Sequence, residues 1–75
     1  MDKKFAEPDF KNRDVELRFV DNEVCIYATE AGLKKLIGYC KILLDKPEKG
    51  HIHLDDYDIL TENSLKGVVA IFKKA

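Results

Sequence analysis

Residues 14–20, DVELRFV, and 23–28, EVCIYA, alternate apolar and polar side chains on either side of Asp21-Asn22. Val15, Leu17 and Phe19 fall on one face of the first run, with Glu16 and Arg18 on the other. In the second run Val24, Ile26 and Ala28 oppose Cys25 and Tyr27. Period-two alternation marks a half-buried strand. Asp and Asn both tolerate the left-handed backbone that a tight turn requires. The two runs therefore predict a β-hairpin.

A change of period follows at once. Thr29 is placed to cap a helix, and Glu30 suits the positive end of that helix. Leu33, Leu36, Ile37, Cys40, Leu43 and Leu44 then recur at three- and four-residue spacing, an apolar stripe on a helix of roughly four turns. Lys34, Lys35 and Lys41 fall off the stripe, and Pro47 and Gly50 end the helix. A short strand is expected over 51–55, HIHLD, and a polar loop over 56–64 with Ile59 and Leu60 tucked beneath it. A last strand is expected over 65–73, LKGVVAIFK. Its apolar residues occupy both faces, which predicts an interior strand.

The element order is β-β-α-β-β, an α+β fold with one helix packed on one face of a four-stranded sheet. Residues 1–13 are polar, carry Pro8 and show no periodicity, so they form a loosely ordered arm ahead of a single domain over 14–75. One helix covers one sheet face. The other face then carries Cys25, Tyr27, His51, His53, Val68, Ala70 and Phe72. A mixed apolar, aromatic and imidazole surface of that kind calls for cover. A partner, a second copy of the chain or the arm itself, with Phe5 and Phe10 as plugs, would supply it.

Composition narrows the function. The chain has 75 residues, 13 Lys plus Arg against 14 Asp plus Glu, and a formal net charge of -1. That balance argues against nucleic-acid binding, where phosphate neutralisation supplies most of the affinity. The N-terminal stretch has no apolar run resembling a signal peptide, and no stretch approaches the length of a membrane span. Two cysteines, Cys25 and Cys40, are too few for a disulfide-built scaffold. The expectation is a cytoplasmic protein with reduced thiols.

The sharpest local motif is His51-x-His53-x-Asp55. On a strand all three side chains would share a face, and two imidazoles with a carboxylate are suitable ligands for Zn²⁺ or Fe²⁺. Completing such a site needs ligands from elsewhere, and the sequence holds no third histidine. Cys25 with His53 lacks any feature that would activate the thiol. Asp55, Asp56, Asp58 and Glu62 form an acidic loop, which without a pocket to shift their pKa values is suited to meeting a basic partner. The four glycines form no phosphate-binding loop. The residues thus favour a non-catalytic binding module with no cofactor. A metal-binding protein or small metal-dependent enzyme at His51, His53 and Asp55, and a structural homodimer through the open sheet face, are the alternatives.

Several of these residues carry a resemblance. Val15-Glu-Leu-Arg, then Thr29-x-x-Gly32-Leu33, then Gly50-His51-Ile52-His53-Leu54-Asp55, then Leu60-Thr61-Glu62-x-Ser64 together resemble the immunity protein 32 family. These are small bacterial proteins grouped with polymorphic toxin systems. The resemblance covers about residues 15–72. It implies a cytoplasmic protein that binds and neutralises a cognate protein toxin and performs no catalysis itself. Partner contacts are expected from Tyr27, His51, His53 and Phe72 on the open face, and from Asp55, Asp56, Asp58 and Glu62 in the loop.

Overall fold

The computed structural model describes residues 7–73. Phe5 and the rest of 1–6, with 74–75, lie outside the described residues. The hairpin forms as expected. Strand β1 (Val15–Val20) pairs antiparallel with β2 (Glu23–Ala28), in a register that sets Val15 against Ala28 and Phe19 against Val24. Asp21 and Asn22 turn the chain at φ 52° and 64°, the paired left-handed conformation that matches the strand twist of a two-residue hairpin.

Helix α1 (Glu30–Asp45) starts at Thr29, whose hydroxyl accepts the Gly32 amide at 3.0 Å. Asp14, just ahead of β1, fastens that corner. Its carboxylate accepts the Thr29 hydroxyl at 3.0 Å and the Lys35 ammonium at 2.6 Å, and its carbonyl accepts the Thr29 amide at 2.9 Å. A side chain at Gly32 would collide with the Asp14 carbonyl, so glycine lets the first helical turn lie against the start of β1.

The expected four-stranded sheet does not form. Two small antiparallel sheets replace it, β1 with β2, and β3 (His51–His53) with β4 (Val68–Ala70). The reason lies in the stretch after Asp58. That chain runs parallel to β1, with an isolated bridge from Val15 to Leu60. The Val15 amide donates to Ile59, and the amides of Thr61 and Leu65 donate to Val15 and Leu17. The Leu17 amide is instead taken by the Ser64 hydroxyl at 2.8 Å. A side-chain oxygen here stands where a regular ladder would need a carbonyl, and the pairing is not propagated. After Leu65 the chain leaves β1. Gly67 then passes so close to the Leu17 and Leu54 side chains that a Cβ would overlap the former, and β4 pairs with β3.

Two other expectations are corrected with it. The last strand spans three residues rather than nine, and Val68 and Ala70 on it are exposed. The strand at 51 stops at His53, because Leu54–Tyr57 winds into a 3₁₀ turn closed by Asp58 in the left-handed conformation, φ 55°. Pro47–Lys49 forms a second 3₁₀ turn after the helix.

The core joins β1 to the C-terminal half. Val15, Leu17, Leu54 and Ile59 form one buried cluster, flanked by Ala28, Leu36, Tyr39, Leu60 and Val69. Leu43 and Ile52 are buried beside it. The helix buries a narrow ridge, Gly32 and Leu43 fully and Leu36 and Tyr39 in part. Tyr39 stacks at a tilt on Tyr57 with ring centroids 5.0 Å apart, and burial raises its phenol pKa above the ordinary value. The described part of the arm packs on the domain: Pro8 is buried and Phe10 half-buried.

Candidate functional site

The predicted site residues are distributed over three places. His51 and His53 stand exposed on one face of β3, opposite Ala70 and Val68 of β4, with their rings edge to face at 4.9 Å. Asp55 does not continue that row, since the chain has entered the 3₁₀ turn. Among the described residues no group of three His, Cys, Asp or Glu side chains is close enough to hold a metal ion.

Tyr27 sits on the hairpin face away from the helix. Arg18 lies over its ring, 4.5 Å from the centroid, and the phenol oxygen is buried without a hydrogen-bond partner. Arg18 also pairs with Glu16, and the buried Glu16 carboxylate accepts the Thr61 hydroxyl. The Glu16 carboxylate, 3% exposed, is held by these bonds rather than by solvent, while Arg18 keeps partial access to water. Phe72, 89% exposed, borders a shallow recess with Cys40 and Leu44 of the helix, so it adjoins α1.

The acidic loop divides in two. Glu62 is paired with Lys11 at 3.0 Å and Asp58 with Arg13 at 3.5 Å, so both face cations of the arm. The hydrogen bond from Lys11 holds the Glu62 carboxyl below its ordinary pKa, and the same bond raises that of Lys11. Asp55 and Asp56 are exposed and have no ion-pair partner among the described residues. The uncompensated negative charge of the loop is therefore theirs.

A surface that sequence reasoning assigned to the core lies open instead. The helix-facing side of the hairpin is buried only at its base. Phe19 is 60%, Val24 72% and Ile26 61% exposed. Where the two sheets part company, a groove of roughly 460 Å³ opens, with Leu17, Leu36 and Leu54 in it and Val24, Ile26 and Leu65 along its walls. Cys40 also lines it, and beyond Cys40 the helix presents Leu33, Ile37 and Leu44, each more than half exposed. At 100° per residue these four positions sit together on one flank of α1, beside the buried ridge. The signal was available in the stripe itself. Its arc is wider than the single ridge that one packed contact buries.

A comparison with family models matches the description "Immunity protein 32" over residues 23–74, more than half of the chain. The chain belongs to the immunity protein 32 family. The matched stretch begins at β2, so the Val15-Glu-Leu-Arg run lies ahead of it. Compared with curated proteins and with solved structures, the chain gives no match. Membership of an immunity family implies a toxin as partner and a non-enzymatic role. Among the described residues no helix is long and apolar enough to cross a membrane.

Proposed function

We propose that this member of the immunity protein 32 family is a cytoplasmic protein that binds a cognate protein toxin and neutralises it without catalysing a reaction. The family match over residues 23–74 is the observation that carries the reading. The geometry supports it with an exposed acidic turn, Asp55 and Asp56, flanked by Asp58 and Glu62 and close in sequence to the imidazoles of His51 and His53. Uncompensated acids at a rim raise the encounter rate with a basic surface, and a few desolvated side chains then hold the complex. The half-buried Tyr27 and the exposed Phe72 remain the proposed aromatic contacts.

The test is co-expression with the cognate toxin, followed by association kinetics. Growth rescue and a one-to-one complex are expected. Asp55→Asn with Asp56→Asn should slow association about tenfold at low salt and flatten its salt dependence. Failure to rescue growth from any cognate toxin would sink the immunity reading. Unchanged association rates in the double variant would remove the acidic turn from it.

A further inference from the structure

We infer that the open apolar surface of the hairpin and helix is a dimer interface occupied by a second copy of this chain. The contact is distinct from the acidic turn and does not depend on the toxin reading. Three observations point to it.

The first is area. Phe19, Val24 and Ile26 on the hairpin, and Leu33, Ile37 and Leu44 on the helix, each leave more than half of their surface exposed. The groove bounded by Val24, Ile26 and Cys40 joins the two sets. At roughly 100 Å² each, with the groove between them, the patch amounts to on the order of 700 Å². A monomer ordinarily shows a largest patch of about 300–600 Å², whereas one side of a standard interface contributes about 800 Å².

The second is the size of the core. Among the described residues, besides Pro8, six aliphatic side chains are buried: Val15, Leu17, Leu43, Ile52, Leu54 and Ile59. The described residues expose eleven large apolar side chains, and the six of this patch alone equal the buried set in number. Domains of this length are marginal alone, and association is a usual supplement.

The third is charge. The six side chains of the patch are uncharged, and among the described residues Lys66 is the one ionic residue along the groove. A two-fold contact sets a surface against itself, so it excludes a patch of one strong sign. This surface satisfies that condition, while the acidic turn does not.

The experiment uses the full chain without toxin, by sedimentation equilibrium and thermal melting from roughly 1 to roughly 100 µM. A species of twice 8.6 kDa is expected, with a melting temperature that rises with concentration. Ile37→Glu and Ile26→Glu should each weaken the dimer at least tenfold, and His53→Ser should leave it unchanged. Ile37 is more than half exposed in the single chain, so its replacement leaves the fold of one copy intact. Should either variant unfold, the wild-type thiol decides: labelling of Cys40 by a maleimide slows as concentration rises if the face is covered. A monomer at every concentration with constant labelling overturns the proposal, and hands the face to a toxin or other partner. A dimer indifferent to both isoleucine variants overturns it too.

Discussion

The Thr29 hydroxyl donates to Asp14 Oδ1 at 3.0 Å while it accepts the Gly32 amide at 3.0 Å. One side chain thus caps the helix and ties it to the strand that the hairpin starts with. With Lys35 on the other carboxylate oxygen at 2.6 Å, Asp14 joins three positions that lie apart in sequence.

Those bonds, that from Lys35 foremost and that from Thr29 second, hold the Asp14 carboxyl below its ordinary pKa. The folded state binds this proton more weakly than the unfolded chain does. Its contribution to stability is complete above the unfolded value, about pH 4, and is lost as pH falls through the lower folded value. Asp14→Asn should lower the urea midpoint at pH 7 and bring variant and wild type together in strong acid. Parallel midpoints across that range would show that Asp14 holds no proton-linked stability. Thr29→Ala should cost about 1 kcal/mol at neutral pH.

Gly32 and Gly38 stand on the same helix in opposite circumstances. A Cβ at Gly32 overlaps the Asp14 backbone, while one at Gly38 meets nothing within 4 Å. Gly32→Ala should destabilise by roughly 1–3 kcal/mol. Gly38→Ala should stabilise by about 0.5–1 kcal/mol. Melting temperatures moving in opposite directions check the pair together.

Glu16 is buried between Arg18 and Thr61, its side chain 3% exposed. Removal of one partner of such a pair leaves polar groups without their bonds. Arg18 keeps some access to water, so Glu16→Ala should cost about 2–3 kcal/mol. Denaturant unfolding measures it, and a loss below about 0.5 kcal/mol would show that the network is solvated.

Zinc offers a direct check of the histidines. Two exposed imidazoles with no third ligand beside them among the described residues hold the ion weakly, so equimolar Zn²⁺ in the micromolar range should leave the melting temperature unmoved. A rise of several degrees, abolished by His51→Ala, would show that a ligand joins them in solution.

The elements governed by local chemistry were legible in the sequence. The period-two runs, the Asp21-Asn22 turn and the Thr29 cap each act within a few residues. The hairpin and helix therefore form where those signals put them. Sheet connectivity was not legible, because it depends on contacts between β1 and the chain after Asp58. No pattern in residues 60–65 announces that the Ser64 hydroxyl will take the Leu17 amide. Residues 68–72 are apolar on both faces, which reads as an interior strand, yet Val68 and Ala70 are exposed. The same gap affects the candidate site. His51 and His53 share a face as their spacing requires, and Asp55 leaves it because the strand ends two residues earlier. The open hairpin face was read as core because alternation shows which side is apolar and not what covers it.

The parallel run from Ile59 to Leu65 has a further consequence, in the order of synthesis. The hairpin and α1 are complete once residue 45 has been made, and they contain the local contacts that form fastest. The segment that closes the core against β1 comes later. During that interval Val15 and Leu17 lack the covering that Ile59 and Leu54 provide. A chain that stops short of that segment leaves an apolar strand pair bare on that side. Chains truncated before residue 59 should accordingly aggregate or recruit chaperones, and the full chain should not.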